Sequence, residues 1–93
     1  MSSYHGDTVL ATVEELKSVC YTYLDSNNGE DKTNFDFKFK LPNGKDFWVY
    51  DWKEYRVIPP NEYINFHIGA DTPEESLEAY EQVIKLLNKK KND

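Results

Sequence analysis

The chain changes its hydrophobic period twice. Thr12-Val13-Glu14-Glu15 has the form of a capping box, with Thr12 accepting from the first free amides and Glu15 reaching back. Val13, Leu16, Val19/Cys20 and Tyr23/Leu24 follow at helical spacing, so a helix is expected from Thr12 until Asn27-Asn28-Gly29 ends it. From Phe35 the period becomes two: Phe35, Phe37, Phe39 and Leu41 alternate with Asp36, Lys38 and Lys40. Pro42-Asn43-Gly44 is a turn, and a second strand returns from Lys45 to Trp52. Residues 53–62 connect through Pro59-Pro60 to a third strand, Tyr63 to Ile68, broken by Gly69-Ala70-Asp71. A second capping box, Thr72-Pro73-Glu74-Glu75, opens a long helix with Leu77, Tyr80, Val83/Ile84 and Leu87 as its apolar stripe. Its last turns are rich in lysine, which suits the negative end of the helix dipole.

These elements predict one α+β domain over residues 1–93, in the order α-β-β-β-α. The expected architecture is a small antiparallel three-stranded sheet with both helices packed on one face. Residues 1–11 are expected to form a loose N-terminal arm, and residues 90–93 a frayed tail.

The turn at Pro42 decides which side chains share a face. A three-residue loop, a type I turn closed by a left-handed glycine, pairs Leu41 with Lys45, Phe39 with Phe47 and Phe37 with Val49. The phenylalanine row then faces the helices, and the other face collects Lys38, Lys40, Trp48, Tyr50 and Trp52, joined by Tyr63, Asn65 and His67. A two-residue loop on Asn43-Gly44 would instead bring the Phe and Trp rows together; the three-residue loop is preferred because it gives each strand an apolar core row. Large aromatics left on the far face, rimmed by polar groups, mark a ligand or partner site, unless a helix or a second copy of the chain, as a homo-oligomer, covers them.

Composition narrows the partner. Net charge is −6, with −4 in residues 1–30, zero in residues 31–62 and −2 in residues 63–93. Direct nucleic-acid binding needs a basic footprint and is not expected. No stretch has the length and apolarity to span a bilayer, so no membrane partner is expected. The first twelve residues carry no basic leader or apolar core, and the lone Cys20 forms no internal disulfide; a reducing, intracellular compartment is expected. Cys20 itself is expected to be a small buried hydrophobe on the first helix.

The densest cluster of potential chemistry is Tyr50-Asp51-Trp52-Lys53 with Tyr55 and Arg56. Its rings can stack on a planar ligand, and Lys53 and Arg56 can neutralise phosphate. His67 lies shortly before the helix start capped at Thr72, where backbone amides favour an anion. The expected ligand-binding set is Trp48, Tyr50, Trp52, Lys53, Arg56, His67 and Gly69. No nucleophile elbow, HExxH, phosphate loop or dinucleotide fingerprint occurs, and an Asp51–His67 acid/base pair across strands is no more than any two strands with polar residues would offer. No enzymatic activity, cofactor or metal is therefore expected. Glu74, Glu78 and Glu81 form an acidic row on the second helix, an alternative surface for a basic protein partner.

The segments Phe47-Trp48-Val49-Tyr50-Asp51-Trp52-Lys53 and Phe66-His67-Ile68-Gly69 together resemble a group of small phage and large-DNA-virus proteins. In that group a Tyr-Asp/Asn-Trp-Lys strand is followed by a Trp/Phe-His-Ile-Gly segment. The resemblance covers about the central half of the chain and leaves both helices outside it; where the group often has a second glycine, this chain has Ala70. It implies a viral protein acting in the host cytoplasm, where such proteins antagonise host defence. The expectation is sequestration of a small anionic, nucleotide-like signal on the aromatic face, or inhibition of a host protein through that face or the acidic helix.

Overall fold

The computed structural model describes residues 3–91. Five antiparallel strands form one sheet: β1 (Ser3–Ala11), β2 (Thr22–Asp25), β3 (Phe35–Lys40), β4 (Asp46–Tyr50) and β5 (Ile64–Ala70), in the spatial order β1-β5-β4-β3-β2. Two helices, α1 (Val13–Val19) and α2 (Pro73–Lys91), complete the α+β fold. No helix of the described residues is long and apolar enough to cross a membrane.

The three-residue turn forms as its chemistry requires. Gly44 adopts φ +89°, and the Gly44 amide donates to the Leu41 carbonyl at 2.8 Å. The Asn43 side chain accepts from the Lys45 amide at 2.9 Å. Phe39 therefore pairs with Phe47 and Phe37 with Val49. Phe35, Phe37, Phe39, Leu41, Phe47, Val49, Ile64, Phe66 and Ile68 are buried in one cluster, to which the helices add Val13, Leu16, Ala79, Val83 and Leu87. Stacked rings at Phe35–Phe37 and Phe39–Phe47, with centroids 5.6 and 5.3 Å apart, line it.

The sheet is wider than the three strands expected. Residues 3–11 are an edge strand and not a loose arm: Val9 and Ala11 are buried against the core and pair with Phe66 and Ile64. A register shift between Tyr4 and Thr8, around Gly6, breaks the period-two pattern there and hides the strand from a reading by alternation. The first helix stops at Val19, well before Asn27. Cys20 is its extended C-cap and half-buried, with its thiol donating to the Lys17 carbonyl at 3.7 Å; burial pushes that thiol's pKa up. Tyr23 and Leu24, expected on the helix stripe, lie instead in β2, whose four residues are all exposed and pair with β3.

At the other end, β5 continues through Gly69 and Ala70, so the break comes only at Asp71. On α2 the inward face is Ser76, Ala79, Val83 and Leu87: Val83 and Leu87 face the core as expected, while in the first turns Ser76 and Ala79 take the places expected of Leu77 and Tyr80. Leu77 and Tyr80 stand 53% and 37% exposed. The cause is polar: the Ser76 hydroxyl donates to Asp7 at 2.6 Å, which ties the helix to β1 and turns a serine inward. Lys90 and Lys91 belong to α2, and the rest of the expected frayed tail, residues 92–93, lies outside the described residues.

The connection from β4 to β5 is fastened to the segment before β3. Asn27 pairs with Ile58 as a peptide would, donating from Nδ2 to the carbonyl at 3.0 Å and accepting from the amide at 2.8 Å. Gly29, at φ +78°, packs so close that an added Cβ would meet the Arg56 backbone at 3.0 Å. Gly29→Ala is therefore expected to lower unfolding free energy by about 2 kcal/mol, the sum of left-handed strain and displaced backbone. Urea denaturation measures it, and a loss below about 0.5 kcal/mol would show that the two segments part freely.

Candidate functional site

Alternation along β3, β4 and β5 sends Asp36, Lys38, Trp48, Tyr50 and His67 to the sheet face opposite the phenylalanine core. Asp36 pairs with Tyr50, Lys38 with Trp48, Tyr50 with His67, and Trp48 with Gly69, so these residues are cross-strand neighbours. The edge strand β1 adds Tyr4 beside Gly69. Tyr4 and His67 stack with centroids 4.2 Å apart and planes at 19°. Trp52 stacks on His67 at 6.3 Å, and Tyr50 meets Trp52 edge-on at 6.2 Å. Burial among these rings holds the His67 imidazole below its ordinary pKa, so it stands neutral at pH 7. The Tyr50 phenol is pushed up, by burial first and then by electrostatic repulsion of its ionised form by its neighbours Tyr4 and Asp36.

The loop that carries Trp52 is fixed from beneath. Asp51 is fully buried, and its carboxylate accepts from the Asn34 amide at 2.8 and 2.9 Å, from Asn34 Nδ2 at 3.1 Å and from the Phe35 amide at 2.8 Å. The Lys53 amide donates to the Lys32 carbonyl at 2.7 Å. Lys53 and Tyr55 are held at φ +55° and +49°, a left-handed conformation that costs about 1–2 kcal/mol per residue outside glycine. Non-glycine residues keep such a backbone only where the surroundings over-determine it, and functional loops are where that occurs. The result places two ammonium groups over Trp52, Lys53 at 5.6 Å and Lys32 at 5.9 Å from its ring centroid.

Between the rings and β3 lies a groove of about 310 Å³, lined by Ser3, Thr33, Asp36, Trp48, Tyr50 and Gly69. A second, of about 190 Å³, lies toward β2 and shares Asp36 and Trp48 with the first. Asp36 Oδ1 is sealed from solvent and has no hydrogen-bond partner among the described residues. Burial, and next the charge of Asp51, raises the Asp36 carboxyl pKa.

Of the residues expected to bind ligand, Trp48, Tyr50, Trp52, Lys53, His67 and Gly69 gather here. Arg56 does not join them as a free cation: its guanidinium is paired with Glu54 at 3.2 Å and with Glu62. Nor do Asp51 and His67 form an acid/base pair, because Asp51 is committed to Asn34 and Phe35. Asp36, Tyr4, Lys32 and Thr33 enter the site unannounced by the sequence. Glu74, Glu78 and Glu81 stand exposed along α2, with Leu77 and Tyr80 beside them. No group of three His, Cys, Asp or Glu side chains able to hold a metal ion occurs among the described residues.

No family model matches the chain, and no curated protein or solved structure matches it.

Proposed function

We propose that this protein acts by binding, holding a small anionic, nucleotide-like molecule on the open face of its sheet. The observation that carries the reading is the pairing of an aromatic wall with a groove of suitable size. Trp48 and Tyr50 line a space of about 310 Å³, at the lower end of the ~300–1,000 Å³ usual for small-molecule sites. A planar ring enters against those side chains, and base–aromatic stacking contributes about 1–3 kcal/mol per ring. Thr33 brings the groove to within one residue of Lys32, which with Lys53 supplies positive charge for a phosphate. His67, neutral between Tyr4 and Trp52, supports the wall and supplies no charge. The resemblance to small viral proteins supports a setting in which such binding withdraws a host defence signal in the host cytoplasm.

Both tryptophans of the chain belong to this site, so intrinsic fluorescence reports on it directly. Titration with a panel of linear and cyclic mononucleotides is expected to quench that emission saturably, with matching heat in calorimetry. Neither quenching nor heat with any of them overturns the reading.

A second reading has its own observation. Leu77 and Tyr80 are exposed next to Glu74, Glu78 and Glu81, an apolar strip bordered by acids on α2 that suits a basic protein surface. Binding of a host protein that weakens with salt and with charge reversal of the three glutamates, while nucleotides give no signal, favours this reading.

A further inference from the structure

We infer that Asp36 is a specificity-determining residue, selecting a ligand ring that presents two adjacent N–H donors, as guanine does, over rings that pair a donor with an acceptor. The inference rests on the nucleotide-binding reading and names which ring the site prefers.

The argument starts from an anomaly of placement. Buried polar atoms in folded proteins almost always have a hydrogen-bond partner, and a carboxylate oxygen without one is costly. Asp36 Oδ1 is sealed from solvent and unpartnered among the described residues. The cation next to it on the same strand face offers no relief, since the Lys38 ammonium is engaged by Asp46 at 3.4 Å. Lys40 is engaged by the same carboxylate at 3.0 Å. The nearby Asp51 charge opposes ionisation of Asp36 further. Nothing in the fold explains an acid here, because Asp36 is the second residue of β3 and faces away from the core, where asparagine or threonine would serve the sheet as well.

The site does explain it. Asp36 is shared by both grooves, and in each it lies beside Trp48, the side chain best suited to stack on a ring. A carboxyl group turns readily about its broad terminal torsion, so donors arriving along the groove can engage both oxygens. An ionised carboxylate only accepts, so its partner edge must donate twice. Guanine offers N1–H and the 2-amino group side by side. Adenine sets an acceptor nitrogen next to its amino group, which places a lone pair against the carboxylate. Charge-assisted, paired contacts of this kind discriminate strongly, because the wrong ring leaves a buried acceptor unmet.

The test compares GMP, IMP and AMP on the wild-type protein and on Asp36→Asn, by tryptophan fluorescence and calorimetry. Wild type is expected to bind GMP at least about tenfold more tightly than AMP, with IMP, which keeps N1–H and lacks the 2-amino group, between them. Asp36→Asn is expected to lose that preference and most of the GMP affinity. The same variant is expected to melt at a higher temperature than wild type. A carboxyl whose pKa is raised on folding destabilises the fold as pH rises through that raised value, and the amide carries no charge to penalise. Weaker binding together with greater stability is a combination that a merely structural residue does not produce. Nucleotides that bind with equal affinity for GMP and AMP, or an Asp36→Asn variant that keeps the preference, overturn the assignment of Asp36 and leave the binding reading standing. Absence of binding by all three nucleotides overturns both.

Discussion

Asp51→Ala is expected to lower the unfolding free energy by about 3–5 kcal/mol, the largest effect of any single substitution outside the hydrophobic core. The carboxylate satisfies two backbone amides and one side-chain amide, those of Asn34 and Phe35. Asp51 is fully buried and Asn34 is 1% exposed, so water cannot replace the lost acceptor without opening the loop. Each stranded buried donor costs about 1–3 kcal/mol, and partial relaxation keeps the total below the simple sum. Asn34 also links Gly29 and the Arg56 carbonyl, at 3.0 Å each, so the damage spreads to the crossing of the two loops. Against a total stability of about 5–15 kcal/mol for a domain of this size, the loss leaves a marginal fold. Asp51→Asn is expected to fare little better, because its amide nitrogen would point a donor at donors. Equilibrium urea unfolding measures both variants. A change smaller than about 1 kcal/mol would show that the loop is fastened elsewhere.

The legible parts of this molecule are those whose determinants are local. The Phe35-to-Leu41 alternation and the Pro42-Asn43-Gly44 turn fix both faces of the β3–β4 hairpin within sixteen residues, Phe35 to Tyr50, and the observed pairing follows from them. Where a strand buries little, no alternation exists to read. All four residues of β2 are exposed, and Tyr23 and Leu24 fall by chance on the helical spacing set by Val13 and Leu16. In β1 only Val9 and Ala11 are buried, and the irregular stretch between Tyr4 and Thr8 conceals that Tyr4 belongs with His67. Ser76 turns inward for a hydrogen bond to Asp7 that is 69 positions away, a reason no hydropathy pattern contains.

The candidate site divides the same way. Trp48, Tyr50 and His67 were placed by strand register alone, and Trp52 by continuing the same alternation one step past β4. Asp36 was visible only as one more polar residue on the outer face; its unpartnered oxygen is a three-dimensional fact. Arg56 failed as a free cation for a related reason, since Glu54 and Glu62 lie two and six positions away and nothing in the sequence shows them closing on it. The two cations that do flank Trp52 come from different loops, brought together by the Lys53–Lys32 backbone hydrogen bond.

Trp48→Ala is expected to weaken nucleotide binding by roughly 5- to 150-fold, the loss of one stacking partner at about 1–3 kcal/mol. Trp48 is the aromatic residue common to both grooves, so its removal takes a stacking surface from a ligand in either and leaves only Tyr50 in the first and Tyr23 in the second. Its side chain is only partly buried and lies on the face away from the phenylalanine core, so the fold is expected to survive its removal. Trp48→Phe keeps a stacking surface and is expected to recover most of the affinity, which separates loss of the ring from loss of the hydrogen-bonding indole. Tyr63→Ala serves as the comparison: Tyr63 is 56% exposed and lines neither groove, so its removal is expected to leave binding unchanged. Calorimetry is the measurement here, since removing an indole also removes a fluorophore. Equal affinities for wild type, Trp48→Ala and Tyr63→Ala would show that ligand lies elsewhere on the protein. The ordering Trp48→Ala far weaker, Trp48→Phe near wild type and Tyr63→Ala unchanged follows only if a planar ring is held against the outer face of β4.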